Sequence, residues 1–66
     1  MVVKVIELVG ISEKGLEDAV RQAVARAAKT VHHVTGVDIV GQNAKVKDGA
    51  IVEWHANVKV AFVVEE

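Results

Sequence analysis

The stretch IVEWHANVKVAFVVEE, residues 51–66, decides the architecture. It alternates for most of its length: Val52, Trp54, Ala56, Val58, Val60, Phe62 and Val64 fall on one side, and Ile51, Glu53, His55, Asn57, Lys59, Ala61 and Val63 on the other. A period of two is the signature of a strand. One side is wholly apolar and holds the chain's single Trp and single Phe, so it is built to face a core. The other side is mixed. A strand of about 14 residues spans roughly 45 Å, far beyond the usual length of about five or six residues.

Working back from that strand, residues 47–49 (Lys47, Asp48, Gly49) form a turn signal. Residues 37–47 (VDIVGQNAKVK) read as a second, less regular strand with Gly41 as a bulge or bend. Ahead of it, Leu16, Val20, Ala23, Ala27, Val31 and Val34 recur at steps of three and four, the stripe of an amphipathic helix. This spacing predicts a helix over 13–33, roughly 30 Å long at about 1.5 Å per residue. Ser12 is the expected N-cap, with Glu13 and Glu17 at the positive end of the dipole, and Thr35-Gly36 the expected end. Residues 2–9 (VVKVIELV) are β-branched and apolar apart from Lys4 and Glu7, and read as a first strand ended by Gly10. The expected fold is therefore α+β: β-α-β-β, a three-stranded antiparallel sheet wrapped around one long helix, as a single domain over 1–66.

Composition bounds what such a domain can do. A chain of 66 residues buries only roughly 60% of its unfolded surface. With no Cys, no disulfide can reinforce it. Apolar residues reach 52%, and one helix can cover only one face of the sheet. The uncovered face and the sheet edges then call for copies of the same chain, which makes a homo-oligomer the expected partner. A formal net charge of -1 argues against nucleic acid and anionic membranes as partners. No signal-peptide pattern and no apolar run of about 18 residues is present, so a cytoplasmic location is expected.

Chemistry-bearing residues are sparse. No Cys or Tyr is present, and the three His lack a companion Ser or Asp in any nucleophile motif, so an enzyme is not expected. His32 and His33 sit where the predicted helix ends, where an imidazolium complements the dipole; adjacent helical side chains diverge by about 100° and cannot chelate together. The single Gly of Gly10-Ile11-Ser12 is too few for a phosphate cradle. Trp54 is expected as a core anchor beneath the helix. Asp38, Glu53, Glu65 and Glu66 could offer hard oxygen ligands to a divalent cation if symmetry gathered several copies, although solvated charges or intersubunit ion pairs explain them more simply. His55, on the mixed face between Glu53 and Asn57, is either a ligand contact or a hydrogen-bonded group at a subunit seam.

The opening residues KVIELVGISEKGLEDAVRQAVARAAKTV resemble those of the dodecins: a strand closed by Val9-Gly10-Ile11-Ser12, then a helix carrying Ala23-Val24-Ala25-Arg26-Ala27-Ala28-Lys29-Thr30. The closing VKVAFVVE resembles the last strand of that family, and the likeness covers nearly the whole chain in one order. It implies small flavin-binding proteins assembled as hollow homododecamers, sheets lining the inner wall and helices outside. In the flavin-binding members a Trp after the helix sandwiches the isoalloxazine ring, and a Gln in the last strand hydrogen-bonds its polar edge. The resemblance sets Gly36 at the Trp position and His55 at the Gln position, with Val37 and Asp38 alongside Gly36. It implies flavin (riboflavin or FMN) as the default ligand, held by His55, Gly36, Val37 and Asp38. A Gly at that position also resembles a branch described as calcium-binding dodecins, which implies the alternative of a shell without flavin, structural or calcium-binding.

Overall fold

The computed structural model describes residues 1–64. The elements run β1 (Val2–Ser12), α1 (Leu16–Ala28), β2 (Val34–Lys47) and β3 (Ala50–Val64). β3 lies in the centre of the sheet, antiparallel to β1 on one side and to β2 on the other. The β-α-β-β order, the single helix and the three-stranded antiparallel sheet are those expected. The long alternating strand is central because only a strand paired along both edges can use so many backbone groups at once.

The DG turn is as tight as its sequence suggests. Asp48 (φ 53°) and Gly49 (φ 79°) both adopt left-handed conformations and join β2 to β3 in a two-residue hairpin. The pairing slips where β2 passes from Ile39 to Gly41, so the anticipated bulge is present. Further shifts fall at Val34/Gly36 and Lys45/Val46.

The helix departs from expectation at both ends. It has 13 residues rather than a span over 13–33, so at about 1.5 Å per residue it is about 20 Å long. Gly15 is the N-cap, in extended backbone and with no side-chain cap. Ser12 ends β1 instead: its hydroxyl donates to Asp18 Oδ2 (2.6 Å) and accepts from the Lys14 N–H (2.9 Å). Glu13 precedes the helix, and the first-turn acids are Glu17 and Asp18. At the far end the Thr30 and Val31 N–H groups both bond to the Ala27 carbonyl, and the Thr30 hydroxyl joins them at 3.3 Å. This tight closure satisfies the last carbonyls and stops the helix. Thr35-Gly36 does not end it; Gly36 is a strand residue, and the left-handed turn into β2 is made by His33 (φ 62°), whose carbonyl accepts from the Val63 N–H. His32 and His33 therefore lie past the helix rather than on its last turn. Val31 and Val34 continue the 3.6-residue spacing and pack against the core, but from non-helical backbone.

The core is small and made of small side chains: Ala19, Ala23 and Ala27 of α1 against Ala56, Val58 and Val60 of β3. An alanine stripe at i, i+4, i+8 brings the helix axis close to the sheet. Gly10 of β1 completes the close approach, since a Cβ there would lie 1.9 Å from the Ala19 carbonyl oxygen. The strand therefore runs through Gly10, which makes room for the helix rather than ending β1. Trp54 and Phe62 share the helix-facing side but remain half-buried outside the core. The short helix begins at Leu16, and Trp54 lines a shallow hollow with Leu16, Gln42, Asn43 and Ala44.

One chain leaves much apolar surface uncovered. α1 lies over β1 and β3 and barely reaches β2, so Val37 and Ile39 stay exposed even on the helix side. The opposite face exposes Val3, Val5, Val9 and Ile11 of β1. The chain measures 51 × 19 × 13 Å with a radius of gyration of 13.5 Å, against about 11 Å for a globular chain of this length. Its surface is 4781 Å², against about 4100 Å² for a compact monomer of this mass. The chain is thin, extended and under-filled.

Candidate functional site

The sheet face turned away from α1 carries most of the chain's polar chemistry. Strand parity puts Glu53, His55, Asn57 and Lys59 there, since Ala56, Val58 and Val60 are buried beneath the helix. Antiparallel partners share a face, so the register reads as rows across the sheet. Ile11, His55 and Asn43 form one row, and Lys45 stands opposite Glu53. Val9, Asn57 and Gly41 form the next row, then Glu7, Lys59 and Asp38, then Val5, Ala61 and Gly36. The β1 side of this face is chiefly apolar and the β2 side chiefly polar.

His55 and Glu53 are two residues apart on one strand, and their side chains meet. His55 Nε2 lies 2.8 Å from Glu53 Oε1, with side chains 26% and 32% exposed respectively. A carboxylate only accepts hydrogen bonds, so Nε2 carries the hydrogen. Glu53 is the residue that sequence reasoning overlooked as a partner of His55. The signal was available, because i and i+2 on a strand always point the same way.

The four residues singled out for a cofactor do not converge in one chain. Gly36 pairs with Ala61, Val37 with Val60 and Asp38 with Lys59. His55 is thus six residues along β3 from the Gly36 row and four from the Asp38 row, roughly 20 Å and 13 Å at about 3.3 Å per residue. Val37 pairs with a residue of the helix-facing set, so it points away from the face that bears His55. Gly36 is exposed, with nothing within 4 Å of where a Cβ would stand, and offers no ring to stack on. His55 and Asn43 stand side by side as hydrogen-bonding side chains; no aromatic ring comes from Gly36.

Cation ligands are likewise dispersed. Asp38 and Glu53 lie in different rows, and Glu65 and Glu66 fall outside the described residues. Among the described residues no three His, Cys, Asp or Glu side chains gather closely enough to hold a metal ion. His32 and His33 stack edge to face with ring centres 6.4 Å apart. At the start of α1, Asp18 accepts from the Ser12 hydroxyl and from Gln22 Nε2 (2.7 Å). The Ser12 bond, then the Gln22 bond, hold its carboxyl below the ordinary carboxylate range. Glu17 and Arg21 pair one turn apart on the exposed side of the helix.

The dodecin family profile matches residues 2–65. The chain belongs to the dodecin family. It is 37% identical to the dodecin of Thermus thermophilus over 65 residues, covering 98% of this chain and 94% of that one. The structure of dodecin from Streptomyces coelicolor superposes with a TM-score of 0.94 at 32% identity, over 98% of this chain and 93% of that one. The calcium dodecin of Mycobacterium tuberculosis, described as having a novel calcium-binding site, superposes with a TM-score of 0.85 at 29% identity, over 98% and 93% of the two chains. Dodecins are non-enzymatic small-ligand proteins that bind flavins and are typically homododecameric. Among the described residues no helix is long and apolar enough to cross a membrane.

Proposed function

We propose that residues 1–66 act as one dodecin-like domain of a cytoplasmic homododecamer that binds and stores a small planar ligand, flavin (riboflavin or FMN) being the one the family takes. The carrying observation is the family match over residues 2–65, together with a polar sheet face that stays open and apolar surface that stays uncovered in one chain. His55 and the 36–38 segment lie too far apart to touch one ligand within a chain, so the site is composed at a seam, with His55 from one copy and Gly36, Val37 and Asp38 from another. His55 contributes hydrogen bonding to the polar edge. Gly36 leaves a gap against which the ring lies, bounded by backbone.

A second reading has its own support: a shell without flavin, structural or calcium-binding. Gly36 provides no π-face, and aromatic stacking contributes roughly 1–3 kcal/mol per base in comparable nucleobase systems. The likeness to the calcium dodecin of M. tuberculosis points the same way. In that case Asp38, Glu53, Glu65 and Glu66 from neighbouring copies supply the oxygens. A riboflavin fluorescence titration separates the two. Saturable quenching in proportion to subunits supports the flavin reading; no quenching, with a thermal midpoint raised by calcium and returned by chelator, supports the second.

A further inference from the structure

The tip of the β2–β3 hairpin carries a chemistry that neither the core nor the ligand face uses. The chain has three Asp residues, in the steps Asp18-Ala19, Asp38-Ile39 and Asp48-Gly49. Asp18 is held at the start of α1 by Ser12 and Gln22, and Asp38 is paired in the sheet with Lys59. Asp48 has neither restraint. Residues 45–52 are all exposed, and only the pairs Val46–Ile51 and Lys47–Ala50 hold the tip together. A register shift at Lys45/Val46 separates those two pairs from the rest of the ladder and leaves Val52 without a partner in β2. The tip therefore hangs from a bulge, far from the buried alanines and valines, and can open without disturbing them. Among the described residues the Asp48 carboxylate has no hydrogen-bond or ion-pair partner, so it is free to reach the main chain. Gly49, with no side chain, does not hinder approach to its own amide nitrogen.

We propose that Asp48-Gly49 is a site of spontaneous covalent modification, at which Asp48 converts to isoaspartate in the folded, assembled protein. The Gly49 backbone nitrogen attacks Asp48 Cγ. The N–Cγ bond forms, the Cγ–OH bond breaks, and the amide proton leaves with the hydroxyl as one water. Water then reopens the cyclic imide. Breaking the N–Cγ bond restores aspartate; breaking the bond from nitrogen to the main-chain carbonyl carbon gives isoaspartate. The native turn holds Asp48 (φ 53°) and Gly49 (φ 79°) in left-handed backbone, so the ring closes when the tip opens. The product's main chain runs through Cβ and Cγ and is one atom longer, which the two-residue turn does not accommodate. The proposal is independent of which ligand the protein binds.

The test incubates the assembled full chain near neutral pH, well below its melting midpoint, and locates isoaspartate by peptide mass spectrometry and an isoaspartyl-specific methyltransferase. A species lighter by one water, then isoaspartate at position 48, should accumulate, while Asp18 and Asp38 in the same digest stay intact. Asp48→Asn closes the same ring with loss of ammonia, and isoelectric focusing should show the added negative charge appearing faster than wild type forms isoaspartate. Urea separates local opening from unfolding. Raising it while the protein stays folded should leave the rate nearly unchanged, because opening the tip exposes little surface. The proposal is overturned by no isoaspartate at position 48, by equal formation at all three Asp residues, or by an Asp48→Asn chain that keeps its amide. A rate that climbs steeply with urea overturns it too, since only unfolded chains would then react.

Discussion

Gly10→Ala is the substitution on which the packing account can be most sharply tested. An added Cβ would stand 1.9 Å from the Ala19 carbonyl oxygen, 2.8 Å from its carbon and 3.2 Å from the Ala23 Cβ. The first two are backbone atoms of α1, so no rotamer change can relieve them. The helix must lift by more than 1 Å, to the separation non-bonded atoms require. Lifting it unseats Ala19, Ala23 and Ala27 from Val58 and Val60, which is half of a six-residue core. Overpacking against a well-packed core costs about 1–3 kcal/mol, and the backbone clash puts this case at the upper end or beyond. At roughly 4–8 °C per kcal/mol for a domain of this size, the thermal midpoint should fall by about 12–24 °C. Circular dichroism melts at one fixed subunit concentration measure it, since assembly makes the midpoint depend on concentration. Gly36→Ala is the control, with open space around its Cβ and no left-handed backbone, and it should leave the midpoint within a few degrees. A Gly10→Ala protein melting alongside wild type would refute the close approach of α1 to β1.

Two further outcomes follow from the same geometry. Gly36→Trp meets open space, so it should fold and assemble normally while supplying the missing ring. Stacking of roughly 1–3 kcal/mol predicts riboflavin binding about 5- to 150-fold tighter by fluorescence quenching, and an unchanged affinity would show that position 36 does not face the ligand. Asp18 is held below its ordinary value of 3.8 by Ser12 and Gln22. A depressed carboxylate stabilises the fold fully above its unfolded value, and that contribution is lost as pH falls through the lower, folded value. Thermal midpoints taken from about pH 5 downward should therefore drop below about pH 4, and Asp18→Asn should flatten that acid limb; an equal slope in both proteins would contradict the assignment.

The parts of the fold written in periodicity were legible in the sequence, and the parts set by three-dimensional approach were not. Alternation over 51–64 marked out the length and the faces of β3, and Asp48-Gly49 the hairpin, while its central place came only with the sheet. The helix was over-extended because Val31 and Val34 keep the 3.6-residue spacing while packing from a loop, and spacing alone cannot tell the two apart. Ser12 has the chemistry of a cap, but which acceptor its hydroxyl reaches depends on where α1 docks, six residues on at Asp18. Gly10 looked like punctuation because its role lies in a contact with Ala19, invisible along one strand. His55 was placed on the mixed face of the last strand, and it lies there, turned away from α1. Its separation from the 36–38 segment depends on register, and of the shifts in β2 only the one at Gly41 is announced by the sequence.

Native mass spectrometry of the purified protein at micromolar subunit concentration bears most directly on whether one chain can stand alone. The thin, apolar-faced subunit predicts a single large homo-oligomer, twelve copies in the family's pattern, with no appreciable free monomer. A folded monomer as the dominant species would mean that the exposed valines need no cover, and the seam between copies, with the ligand site placed on it, would be lost.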